Sequence, residues 1–352
     1  MATMMQLKAA CFGASVATLL AGCSGSAAHG TPAIPTGALR RAQGDTAGSR
    51  PHFLRQYKLP TGTYPSSIIA GPDGAMWFGT YPLFGYYNPT HLGIWRITVH
   101  GRKRFYPFEN GVYDIAAGAD GRIWFTNPYQ YAYNIGAITT DGTITTYSQA
   151  SNGSPESIAP DASGHLWYTS FGGTYFDIVE VDTSGNTVAT FKAKDGFADK
   201  VAYGPNGAIW FNAIANPVVV GRITRKGKQV DSPIGGPNYI PGQMALGPDG
   251  RMWICDGDAL AAVDRKFHVT LYALSAGGSF AGVTVGPDGN LWGAESQYGH
   301  IVRVTTSGTI TEYKTPGYNW LPTAIAAGPD GNLWFPEFQR HSGKSKLGVF
   351  AP

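Results

Sequence analysis

Seven tryptophans recur along the chain at nearly regular intervals: Trp77, Trp124, Trp167, Trp210, Trp253, Trp292 and Trp334, separated by 47, 43, 43, 43, 39 and 42 residues. Each closes a version of one short stretch: GPDGAMWFGT from Gly71, GADGRIWFTN from Gly118, ASGHLWYTS from Ala162, GPNGAIWFNA from Gly204, GPDGRMWICD from Gly247, GPDGNLWGAE from Gly286 and GPDGNLWFPE from Gly328. A period of about 40–45 residues marks an array whose units bury their apolar faces only against one another. Pro presets φ, Asp or Asn bonds back to nearby backbone and Gly accepts positive φ, so Pro-Asp-Gly joins two antiparallel strands. Trp and the aromatic after it fall on opposite faces of the second strand. A strand with large groups on both faces needs cover on both, as a blade between two neighbours has. The chain is predicted to be all-β, a seven-bladed β-propeller.

Each blade reads as four antiparallel strands. The first precedes the turn (67–70, 325–328), the second carries the Trp, the third reads like 93–98, 136–139, 221–224 or 301–305, and the fourth like 144–147 or 310–313. The last repeat stops at a third strand, 346–350. Its missing fourth strand is found at the other end, where Leu54-Arg55-Gln56-Tyr57-Lys58-Leu59-Pro60 mirrors Ile310-Thr311-Glu312-Tyr313-Lys314-Thr315-Pro316. The N-terminal strand, about 53–59, is therefore expected to close the ring and remove the open edges. The propeller domain spans 53–352.

Residues 1–22 read as a secretion signal: Lys8 gives a short basic start, 9–20 are apolar, and Leu20-Ala21-Gly22-Cys23 ends the segment. Twelve apolar residues are too few to span a bilayer. Leu-Ala-Gly-Cys resembles the lipobox, which implies cleavage before Cys23 and acylation of its thiol; a plain signal peptide cut nearby is the alternative. Both readings take the protein out of the cytoplasm, to the cell envelope. Ser24 after the lipidated cysteine favours the outer membrane, and the lipid is the expected membrane contact. Residues 23–52, rich in small residues and Pro, read as the lipidated Cys and a flexible tether. Of the three cysteines only Cys255 would then remain as a free thiol, so no intrachain disulfide is expected.

The repeats Gly-Pro-Asp-Gly-x-Leu-Trp-Phe-x-Glu (328–337), Gly-Arg-Ile-Thr (221–224) and Gly-x-Ile-Thr-Glu-Tyr (308–313) resemble those of the virginiamycin B lyase (streptogramin lyase) family. The resemblance covers about 53–352 and implies a seven-bladed propeller. It further implies a lyase that opens a cyclic ester by elimination, using Mg²⁺ and a histidine base; related propellers open lactones by hydrolysis. The family's histidine comes from a Pro-His pair opening a first strand. The matching pairs here are Pro65-Ser66, Val112-Tyr113, Pro155-Glu156, Ala198-Asp199, Pro241-Gly242, Ala281-Gly282 and Pro322-Thr323, none with His. A base would have to come from a loop, where His300 and His341 are the catalytic candidates.

Three residues after each Trp, where the second strand meets the loop-bearing face, stand Thr80, Asn127, Ser170, Ala213, Asp256, Glu295 and Glu337. The resemblance assigns Glu295 and Glu337 to the family's glutamates. Converging carboxylates repel unless a cation lies between them. Asp256, Glu295 and Glu337 are thus candidate ligands for Mg²⁺ or a cationic group; pairing with Arg303, Arg340 or Lys346 is the alternative. The opposite arc is aromatic. Tyr81, Tyr86, Tyr87, Tyr129, Tyr131, Tyr133 and Tyr175, together with Glu156, are candidates for binding a small molecule, glycan or peptide. These rings could equally fold over one another and plug the channel mouth.

Other chemistries are set aside on sequence grounds. No glycine-rich phosphate loop opens a helix, and no Gly-x-Ser-x-Gly elbow is present. Too few cysteines remain for a Cys-rich zinc site. The net charge of +3 is spread without a basic run, which argues against nucleic acid. The expectation is a monomeric, lipid-anchored propeller that binds a ligand at its central face, with the lyase as alternative.

Overall fold

The computed structural model describes residues 50–82, 90–128, 134–148, 153–172, 176–193, 197–214, 218–224, 226–234, 241–317, 319–339 and 342–352. Cys23, the leader and the tether up to residue 49 lie outside them. Among the described residues no helix is long and apolar enough to cross a membrane.

Seven antiparallel sheets carry the seven tryptophans. Blade 1 comprises Pro65–Ala70, Ala75–Thr80, Gly93–Thr98 and Lys103–Pro107, in sequence order from first to fourth strand, and blades 2 to 6 repeat that order. In blade 7 the first strand is broken into Trp320–Pro322 and Ala326–Ala327, followed by Leu333–Gln339 and Ser345–Ala351. His52–Lys58 supplies the remaining strand: it pairs antiparallel with Ser345–Ala351, with Tyr57 opposite Leu347 and Lys58 opposite Lys346. The ring closes as the repeat count demands.

Seven apolar clusters, one per seam between blades, hold the ring together. Trp77 of blade 1 shares a cluster with Phe125 of blade 2, Trp124 with Tyr168, Trp167 with Phe211, and Trp210 with Ile254. Trp253 packs with Phe280 and Leu291, Trp292 with Phe335, and Trp334 with Phe78 across the closure. All seven indoles are fully buried. The third-strand glycines make room for the facing ring: a Cβ on Gly136 or Gly221 would stand 2.3 or 2.2 Å from Phe125 or Phe211.

A buried indole N–H needs an acceptor. The turn aspartate provides it: Trp77 donates to Asp73 at 2.9 Å, Trp253 to Asp249 at 3.1 Å, Trp292 to Asp288 at 2.8 Å and Trp334 to Asp330 at 3.0 Å. Trp124 donates likewise to Asp120 at 3.1 Å, and Arg96, Arg122, Arg251 and Arg303 pair with Asp73, Asp120, Asp249 and Asp288. The aspartate of Pro-Asp-Gly is therefore a staple between turn and core as well as a turn former. Blade 3 solves the problem differently, with Asp161 two residues earlier accepting from Trp167 at 3.0 Å.

Candidate functional site at the centre of the ring

First-strand starts, second-strand ends and third-strand starts share one face of each blade, and the first strands neighbour one another around the axis. Here the first strands are bulged. In blade 1, Pro65 pairs with Thr80 and Ser67 with Gly79, leaving Ser66 extra; in blade 4, Ala198 pairs with Ala213 and Lys200 with Asn212, leaving Asp199 extra. In blade 3 Glu156 and Ser157 together face Thr169; in blade 5 Gly242 and Gln243 face Cys255. In blade 6 the extra residue is Ala281, since Phe280 pairs with Glu295 and Gly282 with Ala294. The sixth pair of the ring is thus Phe280-Ala281, one residue before the Ala281-Gly282 expected from sequence. An extra residue in one strand turns the backbone and re-aims a side chain.

On blades 2 to 4 these positions and their successors carry polar groups that meet. Lys200 of blade 4 reaches past blade 3 to blade 2: its Nζ donates to Tyr113 Oη at 3.2 Å and lies 4.9 Å from the centre of that ring. It also lies 3.6 Å from Asp199. Tyr81 packs edge-on against Tyr113, centroids 5.4 Å apart. Asp114 accepts from the Ser157 hydroxyl at 3.0 Å and the Ile158 amide at 3.1 Å, joining blade 2 to blade 3. Glu156 is buried and near enough to act electrostatically on Tyr113.

The supporting layer lies two residues after each Trp. Thr126 Oγ1 accepts from the Asp114 amide and donates to the Glu156 carbonyl. Thr169 does the same for Ser157 and Asp199, at 3.1 Å each. Asn212 accepts from the Lys200 amide at 3.0 Å and donates to the Gly242 carbonyl at 2.7 Å. On blades 2 to 4 this one side chain satisfies its own bulge and grips the next blade's bulge.

Charge in this cluster is strongly coupled. Burial works against the Lys200 ammonium, yet Asp199, Tyr113 and Asp114 outweigh it and hold its pKa above the ordinary lysine value. Burial raises the Tyr113 phenol, against the pull of Lys200 and with Asp199 and Glu156 adding to the rise. Burial also raises Asp114, with Lys200 opposing. Tyr113 is consequently a neutral hydroxyl and Lys200 a fixed cation. A tyrosinate base is not available here.

The carboxylates singled out from sequence lie at second-strand ends on blades 5 to 7, with Glu295 and Glu337 engaged locally. Glu295 is buried; its oxygens accept the amides of Ser279 at 3.2 Å, Gln297 at 2.6 Å and Tyr298 at 2.9 Å, fixing the turn into the third strand. His300 Nδ1 stands 3.3 Å from Glu295 and 3.6 Å from Glu312, so this candidate base is held between two carboxylates. Glu337 is buried 3.4 Å from Lys346, whose Nζ donates to the Pro316 carbonyl at 3.2 Å and lies 4.0 Å from the centre of the Trp320 ring. Burial, partly offset by Lys346, pushes Glu337 up to about 7. Burial and then the charge of Asp258 push Asp256 up to about 6.

Asp256, Glu295 and Glu337 do not fit a shared divalent ion. Glu295 is occupied by N–H donors, Glu337 faces an ammonium, and the three do not gather. Among the described residues the three-ligand group within metal reach is Asp161, His165 and Glu180, in blade 3. Of the aromatic candidates, Tyr81 is described and buried; Tyr86, Tyr87, Tyr129, Tyr131, Tyr133, Tyr175 and the histidine His341 lie outside the described residues. Sequence reasoning singled out Glu156 but missed Tyr113, Asp114, Asp199 and Lys200. Its own row of inward pairs held the signal: Tyr, Glu and Asp on three consecutive blades, against Gly and Ala beyond.

Known structures share this architecture. A streptogramin B lyase superposes with a TM-score of 0.72 at 22% identity, over 85% of this chain and 98% of that one. A catalytically inactive virginiamycin B lyase from Staphylococcus aureus, with quinupristin, gives 0.71 at 21% identity, over 85% and 99%. The extracellular domain of a putative hybrid two-component system from B. thetaiotaomicron gives 0.63 at 14% identity, over 82% of this chain and 40% of that one. No curated protein sequence matches. The model of the virginiamycin B lyase family matches residues 103–345, more than half of the chain, and the protein belongs to that family.

Proposed function

We propose that this propeller is an extracytoplasmic, lipid-anchored monomer that binds a small molecule, glycan or peptide at its central face, on the arc of blades 2 to 4. The observation that carries the reading is the Lys200–Tyr113 contact, 3.2 Å long and two blades wide, set among Asp114, Glu156 and Asp199 at the inward bulges. A scaffold that gathers several polar groups beside an aromatic side chain has the usual makeup of a recognition site. The extracellular sensor domain among the similar structures accords with the location.

The lyase is the second reading, favoured by family membership. Against it, no inward bulge carries histidine and the central phenol is held neutral. Two experiments separate the readings. Ligand-observed NMR of residues 53–352 against sugar and peptide fragments, run beside Glu156→Gln/Asp199→Asn, should yield binders whose contact is lost in the variant. Binders indifferent to it would sink the central site. Incubation with quinupristin, with and without Mg²⁺, should leave the antibiotic intact; ring opening would establish the lyase instead.

A further inference from the structure

Blade 3 departs from the other blades at the turn before its tryptophan. Each of the others sets an arginine beside that turn or its indole. Arg96, Arg222 and Arg303 do so from the third strand, directly opposite Trp77, Trp210 and Trp292. Arg122 and Arg251 stand two residues before Trp124 and Trp253, and in blade 7 the closing strand brings Arg55 to within 3.7 Å of Asp330. Blade 3, residues 154–192, contains no arginine. Its third-strand position opposite Trp167 is Glu180, and the position two before Trp167 is His165. Arg122 of blade 2 reaches the Thr183 carbonyl but pairs with Asp120.

Asp161, His165 and Glu180 each offer one ligand atom, and these atoms lie within 4.8 Å of one another. Bonds of about 2.0–2.2 Å to a shared ion hold ligand atoms within about 4.4 Å of each other, so a side-chain shift of about half an ångström completes the shell. Asp161 is already fixed by the Ser163 and His165 amides, at 2.8 and 3.0 Å, and by the Trp167 indole. Such outer bonds orient a metal-ligating carboxylate. His165 Nδ1 meets Glu180 at 2.6 Å, and an ion would take the place of the proton between them. Glu180 is buried while Asp161 and His165 are half-buried, which leaves a path from solvent. We infer that blade 3 binds a divalent transition-metal ion through Asp161, His165 and Glu180, where the other blades use an arginine. The imidazole favours Zn²⁺ or Mn²⁺ over the all-oxygen ions Mg²⁺ and Ca²⁺. These residues flank the end of the first strand, the start of the second and the end of the third, so the site lies at the opposite end of the blade from the bulges and is independent of the central site.

The test is isothermal titration calorimetry of the EDTA-stripped protein with Zn²⁺, Mn²⁺, Mg²⁺ and Ca²⁺. One site should take Zn²⁺ or Mn²⁺ at least tenfold more tightly than Mg²⁺ or Ca²⁺. Glu180→Gln and His165→Asn should each weaken binding at least tenfold. His165→Arg copies the arginine of blades 2 and 5 and is the variant to rely on if the others do not fold; it should lose the ion altogether. Line broadening by Mn²⁺ in NMR spectra should begin at the amides of 161–166 and 180–182. Absence of Zn²⁺ and Mn²⁺ binding, equal affinity for Ca²⁺, affinity unchanged in the variants, or broadening that begins elsewhere would each overturn the inference.

Discussion

Blades 2 to 4 and blades 5 to 7 are built from one repeat, yet they place their acids differently. On blades 2 to 4 the carboxylates Asp114, Glu156 and Asp199 sit on or beside first-strand bulges, where Asp114 ties its blade to the next and Asp199 lies beside Lys200. On blades 5 to 7 the carboxylates Asp256, Glu295 and Glu337 end the second strand, and Glu295 and Glu337 are engaged inside the fold. The layer beneath differs in step. Two residues after Trp stand Thr126, Thr169 and Asn212 on one arc, and Cys255, Ala294 and Pro336 on the other. Placement within the blade decides whether a carboxylate joins the network between blades or fixes a turn.

Mutations should separate the two arcs. The largest effect is expected from Glu295→Ala, which leaves three part-buried backbone hydrogen bonds without their acceptor. The loss should be roughly 3 kcal/mol in urea unfolding, with central ligand affinity unchanged in whatever fraction remains folded. Next comes Thr169→Val, which breaks both the Ser157 and Asp199 links. It should lower stability by about 1–2 kcal/mol and also weaken ligand binding, because Asp199 loses its anchor. At the same place in blade 5, Cys255→Ala should cost about 1 kcal/mol of packing and leave binding intact. A Thr169→Val protein that binds normally would remove the distinction between the arcs.

Smaller effects concern pH. Glu337 is raised from 4.5 to about 7 in the folded state, so the folded protein holds a proton that the unfolded chain has released between those values. Stability should therefore fall as pH rises through that window, and Glu337→Gln should flatten the slope in urea unfolding. The smallest change is expected from Asp256→Asn. It should match the wild type at about pH 4 and exceed it by at most about 1 kcal/mol at about pH 8, where the wild type carries a buried charge.

Much of this molecule was legible beforehand. The tryptophan period gave the blade count, and the likeness of 54–60 to 310–316 gave the closing strand with its partner. The inward ring was harder. A bulge shifts face by one residue, so alternation of apolar and polar residues loses its meaning at the very positions that line the axis. That is why the sixth inward pair was placed one residue late, and why Lys200, which follows an inward aspartate, drew no notice. Glu295 was conspicuous by its position after Trp, but sequence gives no view of the turn whose amides it would accept. Asp73 and its counterparts were read as turn formers because the indole N–H four residues on was not counted as a donor in need.

The closing strand has a consequence during synthesis. His52–Lys58 is made first, yet its partner Ser345–Ala351 is made last. At a translation rate of about 5–20 residues per second, the strand waits roughly 15–60 s on the ribosome with its edge unpaired. Its sequence suits that wait: Arg55 and Lys58 sit on an otherwise sticky segment, the kind of charge that discourages pairing with another chain. The protein is thus a clasp whose first half must stay unattractive until its second half exists. Replacing Arg55 and Lys58 by apolar residues would be expected to lower the yield of folded protein more than its final stability.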